Sequence, residues 1–235
     1  MANIFIRCIP NTLTSCNLFP GCIASTMAFQ GKYEWAFIFI IIGAVFDFFD
    51  GMSARLLKAP STIGKELDSL ADMTTFGLAP SFIIFSVMKE MYYPIFLSGL
   101  SKYIPFIAFL IAVFSALRLA KFNIDPRQTS NFIGLPTPAN ALFWGSLIVG
   151  EHDYIVSDKF SIFIIIWFIL LLSWLLIAEI PMFSLKFKNL KWTNNKIRFI
   201  FLIICIPLVL TLGISSFAAI ITIYVLLAVF TQKRS

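Results

Sequence analysis

Long apolar runs, broken by short stretches rich in charge, Gly and Pro, repeat along the whole chain. The runs are about 20 residues long, which is the length a helix needs to cross a bilayer. Inside lipid the backbone must satisfy its own hydrogen bonds, so a crossing segment is a helix or part of a closed barrel. The apolar positions do not alternate with period two, and helices therefore fit where strands do not. The pattern predicts eight spans, at 12–29, 35–56, 67–88, 104–122, 136–149, 160–180, 198–212 and 214–230. The fifth is short, and the turn between the last two is tight. The expected fold class is all-α, a polytopic transmembrane helical bundle. It forms a single domain over residues 1–235, with a catalytic core over about 9–150 and C-terminal helices over 160–230. Neither an internal repeat nor a separate soluble domain is expected.

Composition agrees with this reading. The hydrophobic fraction is 59%, against about 45–50% in a soluble domain, and the 27 Phe suit lipid-facing surfaces. The net charge of +6 does not imply a nucleic-acid partner, because no basic block is interleaved with stacking aromatics. The charges sort by side instead. Of the 18 Lys and Arg, Lys32, Lys89, Lys102 and Lys159 fall at one set of helix ends. The rest, among them Arg7, Arg55, Lys58, Lys65, Arg118, Lys121, Arg127, the basic residues of 186–198, Lys233 and Arg234, fall at the other. The excess of positive charge on the cytoplasmic side of membrane proteins puts both termini and the 56–66 loop in the cytoplasm. Cys8, Cys16, Cys22 and Cys205 form no C-x-x-C pair, so neither a zinc site nor a disulfide framework is expected. The N-terminus has no pattern of a cleavable signal peptide, and the first apolar segment is expected to remain as a helix.

The chemistry is concentrated in residues 47–72. Asp47, Asp50 and Ala54 share one helix face, as do Gly64, Asp68 and Asp72. Pro60, Ser61 and Thr62 break the helix between them. Two neighbouring helices can therefore present Asp47 and Asp50 opposite Asp68 and Asp72 near the cytoplasmic interface. An ionised Asp at a helix centre costs about 2.5–3.5 kcal/mol on insertion scales, and bound cations would offset that cost. Oxygen donors with no His or Cys nearby select a hard ion such as Mg²⁺ or Mn²⁺. Such ions favour phosphate oxygens as further ligands, and Arg55 adds a charge suited to phosphate. Gly51, Ala54 and Gly64 remove bulk where a ligand could approach the backbone. The pattern points to metal-assisted chemistry on a phosphorylated lipid or nucleotide. A structural ion-pair network and the carboxylates of a cation transporter stand as alternatives, although Arg55 and Lys58 are too few to balance four Asp.

The spacing D-x2-D-G-x2-A-R-x8-G-x3-D-x3-D matches the signature of the CDP-alcohol phosphotransferases at all eight fixed positions. The chain thus resembles that family. The resemblance implies a cytidine diphosphate and one or two divalent metals bound among these residues. Asp47, Asp50, Asp68 and Asp72 would line the metal and diphosphate site. Asp47, Asp50, Gly51, Ala54, Arg55, Gly64 and Asp68 would hold the CDP group. Asp72 would act as the general base, since an attacking hydroxyl must lose its proton. Four further stretches resemble the membrane-embedded phosphatidylserine synthase branch. They are Ile9-Pro10-Asn11-Thr12-Leu13-Thr14 with Asn17-Leu18-Phe19, the run from Leu70 to Pro80, Ala116-Leu117-Arg118-Leu119-Ala120-Lys121-Phe122-Asn123, and the run from Phe132 to Ala139.

That branch implies CDP-diacylglycerol and L-serine as substrates, and the family resemblance implies a homodimer. A compact chain without a transit-peptide pattern suits a prokaryotic cytoplasmic membrane, and the sorting of Lys and Arg puts the active site near the cytoplasmic face. Arg118 is suited to the carboxylate of the acceptor or to a lipid phosphate, with Lys121 and Asn123 as weaker neighbours. Arg118 and Lys121 could equally be topology charges that reach for the interface. A glycerophosphate, inositol or choline-type acceptor is the nearer rival, and a carboxylate-lined ion transporter the distant one. His152 is expected as a solvated turn residue, Glu179 as a helix-end group or dimer contact, and the basic residues of 186–198 as contacts to anionic headgroups. Pro136 and Pro138 could break the fifth span.

Overall fold

The computed structural model describes residues 4–57, 62–125, 132–182 and 192–232. Lys58, Arg127, Lys186, Lys188, Lys191, Lys233 and Arg234, together with Pro60 and Ser61, lie outside the described residues.

Helices dominate. The order is α1 (Ile4–Phe29), α2 (Tyr33–Leu56), α3 (Thr62–Asp72), α4 (Ala79–Glu90), α5 (Leu110–Ile124), α6 (Thr137–Val156), α7 (Ile162–Ile177), α8 (Trp192–Leu212) and α9 (Ser216–Gln232). Two short 3₁₀ stretches, Ile95–Leu100 and Ile104–Phe109, join α4 to α5. Among the described residues, four segments are long and apolar enough to cross a membrane: Tyr33–Leu56, Thr62–Glu90, Ile104–Ile124 and Arg198–Phe230. Large apolar side chains stay exposed on the outside of the bundle, including Phe19, Phe48, Leu210 and Phe230. Water would penalise such a surface, and lipid does not.

α3 and α4 are one continuous helix, joined by a wider π-helical stretch at Met73–Leu78. Pro80 follows two residues after it. A proline cannot donate to the carbonyl four residues earlier and its ring clashes with it. That carbonyl belongs to Phe76, inside the widened turns. The stretch packs tightly: Thr75, Phe76 and Gly77 are buried, and Thr75 Oγ1 donates to Asn17 O at 3.1 Å. Gly43 permits this approach, because a Cβ there would stand 2.5 Å from Thr75 Cγ2.

α6 is the central rod and lies against α2, α4 and α9. Its Asn140, Trp144 and Ile148 are fully buried. Pro138 sits in its first turn after Pro136 at the N-cap. The prolines thus start this helix instead of breaking it, because the first turn needs no proline N–H. α6, the expected fifth span, is also longer than the 136–149 expected from the sequence. It continues through Glu151, where the backbone kinks, and takes in His152. The apolar stretch 198–230 folds back on itself at Gly213, whose φ of 53° is the left-handed conformation glycine adopts readily. The rings of Phe201 and Tyr224 then meet at 6.0 Å across the hairpin, which is the tight turn the sequence predicts. One feature is absent from the sequence pattern. A two-residue antiparallel bridge pairs Phe132 with Met182 and Ile133 with Pro181, clipping the segment after α5 to the segment after α7.

Candidate functional site

The last turns of α2 carry Asp47 and Asp50, and α3 carries Asp68 one turn before Asp72. Carboxylate oxygens of Asp47, Asp50 and Asp68 all lie within 4.8 Å of one another. Asp50 is only 5% exposed, and its Oδ2 is buried without a hydrogen-bond partner. Thr14 of α1 borders the same carboxylate. None of the four Asp forms an ion pair among the described residues.

Three carboxylates this close, away from bulk water, repel strongly unless a proton or cation lies among them. The all-oxygen donor set fits a hard divalent cation. Oxygens facing each other across an octahedral Mg²⁺ stand about 4.2 Å apart, so the trio needs only a small side-chain adjustment to share an ion. The orphaned Asp50 oxygen is the acceptor such an ion would use.

Asp72 stands beside this trio and in contact with Asp47. Asn17 Nδ2 of α1 donates to its Oδ1 at 3.3 Å. Asn17 itself is fully buried. It is held by the Thr75 bond to its carbonyl and by close packing of its side-chain oxygen on Gly43. Three helices thus meet around the base candidate. Asn17 belongs to a stretch that carries the family resemblance, but spacing alone gives it no place at the site. A polar amide within an apolar helix was the available signal.

The expected CDP-binding residues line the open side. A Cβ built on Gly51 would meet nothing within 4 Å, so the face beside the Asp trio opens onto free space. Ala54 and Gly64 are half-buried, and Arg55 is exposed at the end of α2.

The three α5 residues have different surroundings. Arg118 is buried, donates from Nε to Leu135 O at 2.7 Å and stacks on the Phe122 ring at 5.5 Å. It lies within electrostatic reach of Asp72. Lys121 points instead to Glu179, with which it forms an exposed 3.2 Å ion pair. Asn123 Nδ2 donates to Ser69 Oγ at 2.8 Å, and its carbonyl accepts from Lys65 Nζ at 2.8 Å. Asn123 therefore ties the end of α5 to the helix that carries Asp68. The structure brings Arg118 to the Asp cluster and gives Lys121 and Asn123 protein partners.

His152 is not a solvated turn residue. It sits in the last turns of α6, at the opposite end of the bundle, and its Nε2 meets Glu90 Oε2 at 2.9 Å. Tyr33 donates a hydrogen bond to the other oxygen of the same carboxylate. Cys16, Cys22 and Cys205 carry free thiols.

Residues 7–183 match the CDP-alcohol phosphatidyltransferase family. A CDP-diacylglycerol–serine O-phosphatidyltransferase of Bacillus subtilis (strain 168) is 40% identical over 134 residues, 55% of this chain and 69% of its own length. A protein of the same name from Helicobacter pylori (strain J99) is 29% identical over 219 residues, 92% of this chain and 87% of its own. An archaetidylserine synthase of Methanothermobacter thermautotrophicus is 32% identical over 136 residues, 57% of this chain and 54% of its own. The chain belongs to the CDP-alcohol phosphatidyltransferase family, and it is an integral membrane enzyme.

Proposed function

We propose that this protein is a CDP-diacylglycerol–serine O-phosphatidyltransferase, which moves the phosphatidyl group of CDP-diacylglycerol onto L-serine and releases CMP. The names of relatives that align over most of the chain support the substrates. The observation that carries the chemistry is the meeting of Asp47, Asp50 and Asp68 around a buried acceptor oxygen with no donor.

Asp47, Asp50 and Asp68, with Asp72 at their edge, would hold one or two divalent cations, Mg²⁺ or Mn²⁺. Bound there, the cations supply neutralising charge to the diphosphate and to the departing CMP. The CDP group lies over Gly51, Ala54 and Gly64 with Arg55 at its edge. Asp72 accepts the proton of the serine hydroxyl as its oxygen attacks the phosphorus that carries diacylglycerol. Asn17 fixes the Asp72 carboxylate by donating to one oxygen, which leaves the other for the proton. Arg118, desolvated and facing Asp72, receives the serine carboxylate or the lipid phosphate. Lys121 and Asn123 support this site by holding α7 and α3 in place.

The chain crosses the cytoplasmic membrane of a prokaryote eight times and works as a homodimer. Both termini and the Asp cluster lie on the cytoplasmic side, where serine is available, which the sorting of Lys and Arg supports. Residues 9–150 carry the chemistry, and the helices over 160–230 complete the frame.

The test is CMP release by detergent-purified protein given CDP-diacylglycerol and Mn²⁺, with L-serine, glycerol 3-phosphate or inositol as acceptor. Release with serine alone is expected. Release with another alcohol and not serine would keep the family and overturn the acceptor.

A further inference from the structure

At the end of the bundle remote from the Asp cluster, the short segment between α4 and α5 shapes a cavity of about 540 Å³. Lys89 and Lys102 line it, with Tyr93, Ser98, Ser101 and Phe106; the hydroxyls of Tyr93 and Ser101 donate to Met88 O and Ser98 O. Lys89 stands about 25 Å along the continuous helix from Asp72, at a rise of about 1.5 Å per residue. That distance is close to the thickness of the bilayer's hydrocarbon core, so the cavity lies at the opposite interface.

The charges are one-sided. No carboxylate lines the cavity, and neither lysine has an acidic partner among the described residues. Glu90, the neighbour of Lys89, turns to Tyr33 and His152 on another face. A lysine that only reaches for water would do so alone. Here two lysines from different elements line one space beside Tyr93, Ser98 and Ser101.

The surrounding segment is built for an interface. Ile95 is 87% exposed and Phe96 75%, on 3₁₀ turns whose backbone groups bond locally, as in Leu97 N to Pro94 O at 2.8 Å. Apolar side chains on such turns belong among acyl chains, with the polar groups at headgroup level. Phe96 stacks on Phe163 at 6.4 Å, and Phe106 meets Phe85 at 5.2 Å, so the segment is anchored to the bundle on both sides of the cavity.

We infer that Lys89 and Lys102 hold the phosphate of an anionic phospholipid in the leaflet opposite the active site. The segment over 91–104 closes around the headgroup, and the acyl chains run down past Phe85 and Phe106. A free phosphate would satisfy the same lysines but has no use for the apolar rim.

The experiment is hydrogen exchange of the full-length protein in nanodiscs of phosphatidylcholine alone or with phosphatidylglycerol. It compares wild type, the double variant K89Q/K102Q, and K159Q as a lysine control outside the cavity. Exchange over 91–104 is expected to slow severalfold with phosphatidylglycerol in wild type and K159Q, and not in the double variant. Serine-dependent CMP release in the double variant, within twofold of wild type, reports that it is folded. Equal exchange in both lipids, or protection that survives K89Q/K102Q, would overturn the site. Protection by inorganic phosphate in phosphatidylcholine discs, matching that by phosphatidylglycerol, would overturn the lipid as its occupant.

Discussion

The two ends of the bundle both gather carboxylates from neighbouring helices, and they treat them in opposite ways. At the end of α2 and the start of α3, Asp47, Asp50 and Asp68 converge with no cationic partner among the described residues, and one Asp50 oxygen is buried without a donor. At the far end, Glu90 accepts from Tyr33 and meets His152, and Glu151 accepts from Ser215 Oγ at 2.9 Å. The far-end acids serve the fold by tying α2, α4, α6 and the α8–α9 hairpin together. The first group is destabilising in isolation, since an unsatisfied buried charge costs more than a hydrogen bond returns. Under the proposed function, a bound cation offsets that cost.

Four substitutions sharpen the comparison. Asp50→Asn should lower serine-dependent CMP release by about a thousandfold, in line with removal of a group that stabilises transition-state charge. It should leave the metal-free melting temperature unchanged or raised, because it removes a repelling charge. Asn17→Ala should lower kcat by about tenfold with KM little changed, the signature of a misplaced base in place of weaker substrate binding. Glu90→Gln should reverse the Asp50 pattern, with activity within about twofold and a stability loss of about 1 kcal/mol from the weakened bonds to Tyr33 and His152. Lys121→Ala should do least, with a loss of under about 1 kcal/mol, because its pair with Glu179 is exposed. Thermal unfolding and CMP release on the same preparations check all four.

Much of this was legible in the sequence because its signals are local. Apolar runs of membrane length mark helices wherever they pack, and Asp residues three or four apart share a helix face whatever lies opposite. Features that depend on what lies opposite were not legible. The π-helical stretch at Met73–Leu78 answers to Pro80 and to a glycine on another helix that admits Thr75. The extension of α6 through His152 depends on Glu90, 62 residues away in the chain. Lys121 and Asn123 sit on the same helix as Arg118, and spacing alone could not say that Glu179 and Ser69 engage them. Asn17 was visible as a polar group in an apolar helix, but its contact with Asp72 spans 55 residues.

The most direct test is Mn²⁺ titration of the purified protein, followed by thermal unfolding, for wild type, Asp50→Asn and Glu90→Gln. A cation bound only by the folded state stabilises it by about 2.7 kcal/mol at a hundred times its Kd. The account predicts a clear rise in melting temperature for wild type and Glu90→Gln and its loss in Asp50→Asn. A rise that persists in Asp50→Asn, or disappears in Glu90→Gln, would contradict it and move the cation to the other end of the molecule.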